Sequence, residues 1–192
     1  MHGFGTRWSD IPALFAGLAT LKQIHSSTCV AAEGRAGELG RGDALLENTP
    51  GAIVAVKTAD CVPILLADEC LRAVAAVHAG WRGTAAHVVR RAVEALHERF
   101  GSAPGDLHAA IGPAIGACCY EVGPEVAAQF ALGGRVHLDL PGENRKQLLA
   151  SGIPPARIYN CGLCTLHYPE DWHSFRRDRQ SAGRQHSFIG IR

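Results

Sequence analysis

The 192-residue sequence predicts an α+β protein with mixed sheets and helices packed outside them. Three observations lead to this prediction. Two short apolar runs joined by a short loop indicate an antiparallel hairpin. A long amphipathic stripe after the hairpin indicates a helix. The remaining strand and helix patterns alternate unevenly, whereas a doubly wound parallel sheet would alternate regularly.

The predicted strands are short runs of apolar residues. The first is "AIVAVK" at 52–57. The hairpin consists of "VPILLA" at 62–67 and "RAVAAVH" at 72–78, and its loop contains "DEC". We expect further strands at 108–112, 136–140, 157–161 and 186–191.

The most distinct helix pattern begins at Thr84, a residue type that often caps helix N-termini. Apolar residues recur at helical spacing as far as Phe100, and Gly101 follows as a stop signal. Shorter helices are predicted at 124–132 and 143–150. Because no repeat or low-complexity linker interrupts the chain, we expect a single domain over residues 1–192.

Composition limits the classes of partner. The formal net charge is +1, and no run of like charge exceeds two residues, so neither a nucleic acid nor a membrane surface is expected as a partner. The sequence has no signal-peptide pattern and no apolar stretch of membrane-spanning length, which predicts a cytoplasmic location. Seven cysteines at irregular spacing favour reduced thiols over a disulfide framework. A small-molecule partner fits these features best.

Candidate chemistry lies in scattered residues, because the sequence lacks the dinucleotide-binding, P-loop, zincin and α/β-hydrolase signatures. His25, Cys61 and His78 each stand where a predicted strand begins or ends. Histidine and thiolate are ligands that zinc prefers, and three protein ligands leave a fourth position open for catalysis. The alternative is that both histidines are satisfied core residues and Cys61 is an inert buried thiol. The long gaps between the three residues do not decide between these readings.

A second candidate metal site is "CGLCTLH", in which Cys161, Cys164 and His167 have short CxxC-like spacing. No fourth ligand stands nearby in the sequence, so a closed structural site is the less favoured interpretation. We interpret the adjacent Cys118 and Cys119 as packing residues, because neighbouring cysteines are awkward joint ligands.

Basic side chains are the candidates for binding an anionic substrate. Among them, Arg82 stands in a turn between Gly80 and Gly83, and we expect it mainly to tie down backbone or a carboxylate. The candidates are Arg7, Lys57, Arg82, Arg176 and Arg177.

Four motifs in order, "LKQIHS", "VKTADCVPILLAD", "AAVHAGWRGTA" and "IGPAIGACCYEVG", together with the tail "CTLHYPEDWHSFRRDRQSAGRQHSFIGI", resemble the laccase-domain purine nucleoside phosphorylase family. This family is also called polyphenol oxidase or multicopper oxidase laccase-like. The resemblance covers nearly the whole chain. It implies a four-layer α-β-β-α fold with mixed sheets, shared with a group of bacterial toxin deamidases.

The resemblance also implies a catalytic zinc site at His25, Cys61 and His78, and an arginine, Arg7, at the phosphate or substrate. The expected reactions are phosphorolysis of adenosine, inosine, guanosine and methylthioadenosine, and deamination of adenosine. The partners are then purine nucleosides and phosphate, with the protein a monomer or weak homo-oligomer. Asp60 and Glu121 are the candidates for the carboxylate that a zinc deaminase uses without ligating the metal.

Three features leave alternatives open. The segment between "HGFGTR" and "LKQIHS" is shorter than in the family, so part of the substrate cover is missing or supplied otherwise. Copper is less favoured than zinc, because Met1 is the only methionine and no histidine pair has His-x-His spacing. The alternatives to the phosphorylase are a cysteine hydrolase or deamidase using Cys61 and His78, and a zinc-stabilised nucleoside-binding protein without turnover.

Overall fold

A computed structural model describes residues 1–70 and 72–192. The strands are β1 (His2–Phe4), β2 (Leu18–Lys22), β3 (Cys29–Ala31), β4 (Gly37–Arg41), β5 (Ala44–Glu47), β6 (Ile53–Thr58), β7 (Val62–Asp68), β8 (Ala73–Ala79), β9 (Leu107–Ile111), β10 (Glu121–Val122), β11 (Val136–His137), β12 (Ile158–Asn160) and β13 (Gln185–Gly190). The α-helices are α1 (Ile11–Leu14), α2 (Trp81–Ala85), α3 (Val88–Phe100), α4 (Pro124–Ala127), α5 (Leu140–Ala150) and α6 (Phe175–Asp178). Short 3₁₀ helices cover Pro104–Asp106, Ala128–Phe130, Pro155–Arg157 and Arg179–Ser181.

Within the described residues the strands form two large mixed sheets and one two-stranded ribbon. The five-stranded sheet has the order β1-β13-β6-β2-β4, and the six-stranded sheet has the order β12-β9-β7-β8-β5-β3. The predicted hairpin is present, since β7 and β8 pair antiparallel along their full lengths. The ribbon pairs β10 with β11.

The two large sheets pack face to face through apolar side chains. Because side chains alternate between the faces of a strand, Val54 and Val56 of β6 meet Val74 and Ala76 of β8 in one buried cluster. The other face of the six-stranded sheet packs against α3 and α5. The other face of the five-stranded sheet packs against Ile11 of α1.

This arrangement confirms the α+β class with mixed sheets, and it follows the four-layer order that the resemblance implies. The outer helical layer over the five-stranded sheet is thin, because α1 has only four residues. Among the helices that the structure describes, none is long and apolar enough to cross a membrane.

The prediction for the long helix was wrong at its start. Thr84 lies inside α2 rather than before it. The helix is interrupted at His87, whose backbone is left-handed with a φ of 59°, and α3 begins after it. Gly101 ends α3 in a left-handed conformation, as predicted. The helix expected at 124–132 ends its α-helical part at Ala127. The strand expected at 136–140 ends at His137, and α5 begins at Leu140 after Asp139 as its N-cap.

Candidate functional site

The β7–β8 hairpin brings Cys61 and His78 together at one end of the six-stranded sheet. His78 pairs with Pro63 in the register, so Cys61 lies just beyond the strand end beside it. His78 keeps the two-residue spacing of Val74 and Ala76 and therefore lies on the face that is turned toward the other sheet. Both residues thus lie at the edge of the space between the sheets.

His25 reaches the same place from the loop that follows β2. Its backbone is left-handed, with a φ of 59°, a conformation that is uncommon for residues other than glycine. Asp43 stabilises this loop, because its carboxylate accepts hydrogen bonds from the backbone N–H of His25 at 2.9 Å and of Ser26 at 2.6 Å. The hydroxyl of Ser26 donates a further bond to the same carboxylate at 2.7 Å.

The fully buried Asp43 also orients His78. One carboxylate oxygen lies 2.8 Å from Nδ1 of His78, which leaves Nε2 of the ring to face away from Asp43. Burial alone would raise the pKa of Asp43, but the bonds from His78 and Ser26 lower it to about 2. Asp43 therefore stays ionised and holds both histidines through one carboxylate.

The donor atoms of His25, Cys61 and His78 all lie within 4.8 Å of one another. The two imidazole rings meet edge to face, with centroids 4.9 Å apart. Zinc binds histidine nitrogen and cysteine sulfur at 2.0–2.3 Å, so this set fits around one ion with a fourth position open. Gly80 leaves the space that these side chains occupy, since a Cβ there would stand 2.9 Å from a His25 ring carbon and 3.0 Å from the Cys61 sulfur.

Cys61 and His78 form a charged pair in the metal-free protein. Burial would raise the pKa of the Cys61 thiol, but the adjacent His78 and His25 lower it to about 6. Burial would likewise lower the pKa of His78, but Cys61 and Asp43 raise it to about 9. At neutral pH, Cys61 is thus a thiolate, which is the form that binds metals and acts as a nucleophile.

This cluster lies in a cavity of about 760 Å³, a size typical of small-molecule sites. Strand ends of both sheets contribute to its walls, and so do the aromatic side chains of Trp81, Tyr120 and Phe175. Basic side chains outnumber carboxylates in the lining, so the cavity favours an anionic ligand. The basic residues that line it are Lys22, Lys57, Arg82, Arg176, Arg179 and Arg184.

The five predicted basic candidates separate into two groups. Lys57, Arg82 and Arg176 line the cavity. Arg7 lies elsewhere, where it donates to the carbonyl of Pro169, and Arg177 donates to Asp178 and to backbone carbonyls.

The expectation that Arg82 ties down the turn was wrong. Its guanidinium lies over the Trp81 ring at 4.2 Å, and within residues 1–70 and 72–192 its side chain makes no hydrogen bond or ion pair. An exposed guanidinium that lines the cavity in this way is available to a ligand.

Neither carboxylate proposed from the sequence points freely into the cavity. Asp60, with a left-handed φ of 82°, accepts bonds from the Thr165 hydroxyl at 2.7 Å and the Arg176 backbone at 2.6 Å. Asp60 therefore ties the C-terminal segment to the site. Glu121 is exposed and forms an ion pair with Arg135. Glu38 is the other carboxylate among the described residues of the cavity lining.

The second candidate metal site assembles differently from the prediction. Cys164 and His167 come together with Cys118 and Cys119, while Cys161 is exposed and lies outside this group. The interpretation of Cys118 and Cys119 as packing residues was wrong, since Cys118 is exposed and Cys119 half-buried.

Sequence reasoning missed Asp43, Arg179 and Arg184. Asp43 stands in "GRGDALLE", where an aspartate after glycine resembles an ordinary turn residue. The two arginines belong to the tail, whose return to the cavity depends on the pairing of β13 with β6. The one local signal for a role of Asp43 was its position directly before a short apolar run, where a strand can begin.

Comparisons with known proteins extend over almost the whole chain. Residues 9–192 match the family model described as multi-copper polyphenol oxidoreductase laccase. A protein of Deinococcus radiodurans named purine nucleoside phosphorylase is 41% identical over 183 residues, which cover 90% of this chain and 70% of the relative. A protein named adenosine deaminase RL5, from an unknown prokaryotic organism, is 38% identical over 163 residues, which cover 78% of this chain and 61% of the relative. The crystal structure of the hypothetical protein YfiH of Bacillus licheniformis superposes with a TM-score of 0.88 at 33% identity, covering 91% of this chain and 74% of that one.

Proposed function

Because this chain belongs to the multi-copper polyphenol oxidoreductase laccase family and resembles relatives named purine nucleoside phosphorylase, we propose that it is a zinc-dependent purine nucleoside phosphorylase. Its substrates are adenosine, inosine, guanosine and methylthioadenosine, with phosphate as the second substrate. It also deaminates adenosine. The observation that carries the proposal is a three-residue donor set within 4.8 Å that opens into a basic cavity.

Zinc is the proposed metal because of the donor set. His25, Cys61 and His78 offer two nitrogens and one sulfur, which is the kind of set that zinc accepts in catalytic sites. A blue-copper site adds an axial ligand that is usually methionine, and the only methionine is Met1 at the chain start. The geometry therefore favours zinc, despite the copper in the family's description.

Phosphorolysis needs an anion held against C1′ of the sugar and a departing base that is kept in place. Lys57, Arg82 and Arg176 supply positive charge for phosphate along the cavity wall. The rings of Trp81 and Tyr120 offer flat apolar surfaces for a purine. In this proposal the residues act mainly by positioning and by stabilising charge.

Deamination needs a water that is nucleophilic at neutral pH, and a zinc ion with an open position supplies this by lowering the pKa of the water. His25, Cys61 and His78 hold the metal, and Asp43 fixes the orientation of His78. Both oxygens of Asp60 are engaged by Thr165 and Arg176, so Glu38 is the remaining candidate for the proton-accepting carboxylate among the described residues of the cavity wall.

The test combines metal analysis with product analysis by liquid chromatography. Purified protein is expected to carry one zinc ion in the cavity, and His25→Ala and Cys61→Ala should each lower the zinc count by one. It should release free purine bases from the four nucleosides only when phosphate is present, and convert adenosine to inosine without phosphate. Turnover that persists in metal-stripped protein, or base release without phosphate, contradicts the proposal.

One observation favours a second candidate, a cysteine hydrolase or deamidase. The Cys61 thiolate lies beside the protonated His78, which is the pairing that activates nucleophilic cysteines. The two candidates differ in accessibility of the thiolate, because a zinc-bound sulfur reacts slowly with alkylating agents. Activity that survives metal removal and is lost on Cys61 alkylation would favour the hydrolase. Nucleoside binding without any turnover would favour a binding protein.

A further inference from the structure

A second group of sulfur and nitrogen donors lies outside the cavity. Cys118, Cys119, Cys164 and His167 offer donor atoms that all lie within 4.8 Å of one another. The Cys119 sulfur is 3.0 Å from Nε2 of His167, and the Cys118 sulfur is 4.0 Å from Nδ1 of the same ring. Three thiols and one imidazole are the number and kind of donors that a closed tetrahedral zinc site uses.

Backbone hydrogen bonds hold the two donor-bearing segments side by side. Ala114 accepts a bond from the N–H of Thr165 at 3.0 Å and donates to the carbonyl of Leu163 at 3.2 Å, in an isolated parallel bridge. The N–H of Gly116 points at the Cys164 sulfur at 3.3 Å, as the N–H groups around thiolate ligands commonly do. The donors are therefore brought together by the fold before any ion arrives.

The placement argues against a packing role for these side chains. Cys118 and His167 are exposed and Cys119 is half-buried, so only Cys164 is buried in the way that an inert thiol is. Gly116 makes room for the sulfurs, since a Cβ there would stand 3.2 Å from Cys118 and 3.7 Å from Cys164. Cys161 and Cys70 are also free thiols but lie apart from this group, whereas the three cysteines of the group converge on one point.

We propose that Cys118, Cys119, Cys164 and His167 form a structural zinc site with four protein ligands. Three thiolates and one imidazole close the coordination sphere, so the site has no open position for substrate. Each thiol that ligates the ion releases its proton to solvent, and no oxidant or reductant is needed. This inference does not depend on the reaction catalysed in the cavity.

The site would join two segments that shape the cavity. Ile115 and Tyr120, on either side of the Cys118–Cys119 pair, line the cavity. Thr165, next to Cys164, donates to Asp60, which also binds the backbone of Arg176. A metal ion between these segments would fix one wall of the cavity from outside.

The first test is site-resolved alkylation of the reduced wild-type protein, in metal-free form and after addition of zinc alone. Cys118 is expected to react at least tenfold more slowly with zinc present. Cys161 and Cys70, both exposed and outside the group, serve as internal controls and should react at the same rate in both samples. Equal rates at Cys118 with and without zinc would overturn the proposal.

The second test counts zinc per chain in variants. Wild type should bind two ions, the Cys119→Ser/Cys164→Ser variant one, and the matched control Cys161→Ser two. Cys61→Ala should also bind one ion, which distinguishes the two sites. A wild-type count of one that Cys61→Ala abolishes contradicts this inference and leaves the proposed function standing. A count of one that only Cys119→Ser/Cys164→Ser abolishes supports this inference and contradicts the cavity site.

Discussion

The molecule assembles cysteine and histidine donors twice, and the two groups differ in what surrounds them. The cavity group, His25, Cys61 and His78, has three donors and a buried carboxylate behind one histidine. The loop group, Cys118, Cys119, Cys164 and His167, has four donors from two segments, and the backbone N–H of Gly116 points at its Cys164 sulfur. The number of donors and their outer partners, rather than residue type alone, distinguish a reactive centre from a structural one.

The strongest way to break this comparison is to remove a donor from the cavity group. In His78→Ala the rate constants for phosphorolysis and deamination should both fall by roughly 10³-fold, because a Lewis-acid metal contributes several kcal/mol and each 1.36 kcal/mol is tenfold. The measurement is kcat/KM for inosine with phosphate and for adenosine without it. The exposed His137→Ala, on β11, is the matched control.

A His78→Ala protein that keeps either activity at the wild-type rate would show that His78 is an ordinary strand residue. The variant should remain folded, because β8 pairs with both β5 and β7. Circular dichroism of the variant before assay separates loss of chemistry from loss of structure.

The next effect comes from the carboxylate behind the cavity group. Asp43→Asn keeps the shape of the side chain but removes the charge that orients His78 and accepts the N–H groups of His25 and Ser26. Zinc affinity at the cavity should fall by roughly 10–100-fold. Zinc bound by the loop group should not change, so a metal titration that resolves the two affinities measures the difference directly.

Asp43 also predicts a pH dependence of stability in the metal-free protein. Its folded pKa of about 2 lies below the usual value of 3.8, so its stabilisation is present above about pH 4 and is lost as the pH falls through 2. The difference corresponds to about 2 kcal/mol at neutral pH. Denaturant unfolding should therefore separate wild type from Asp43→Asn at pH 7 and bring them together near pH 2. A constant gap across this range would contradict the assignment.

The features that could be predicted from the sequence are those that depend on the pattern of neighbouring residues. The β7–β8 hairpin follows from two apolar runs and a short loop, and the hairpin alone explains why Cys61 and His78 are neighbours. The break at His87 was not predictable, because a left-handed histidine has no sequence signal comparable to glycine.

Long-range contacts account for the remaining differences. Asp43 reaches His78 across 35 residues through the β5–β8 pairing, and Cys119 reaches His167 across 48 residues. The CxxC spacing indicated Cys161 as a metal ligand, but this residue directly follows β12 and is exposed, outside the donor group. Family resemblance supplied His25 as a partner of Cys61 and His78, which the long gaps alone did not establish.

The two groups should also differ in thiol chemistry when metal is removed. The adjacent histidines hold the pKa of Cys61 at about 6 against the opposing effect of burial, whereas burial together with Cys118 and Cys164 raises the pKa of Cys119 to about 12. Alkylation of Cys61 should therefore rise roughly tenfold between pH 5 and pH 7, while alkylation of Cys119 stays low below pH 9. Mass spectrometry of metal-stripped protein gives both profiles in one sample, with exposed Cys70 as the reference for reagent reactivity. A Cys61 profile that rises only above pH 8 would contradict the charged pair with His78.

The smallest expected effect concerns the outer wall of the cavity rather than either donor group. Arg82 is exposed, lies over the Trp81 ring and lines the cavity, and within the described chain its guanidinium makes no hydrogen bond or ion pair. Arg82→Ala should raise the KM for phosphate by about threefold to tenfold, since an exposed charge-assisted hydrogen bond contributes about 1 kcal/mol and five other basic residues share the cavity. Melting temperature and the zinc count should stay at wild-type values, because the side chain supports no other part of the fold. Arg90→Ala, on the solvent face of α3, is the matched control for lost charge. A lower melting temperature with an unchanged phosphate KM would instead return Arg82 to the turn-holding role that the sequence first indicated.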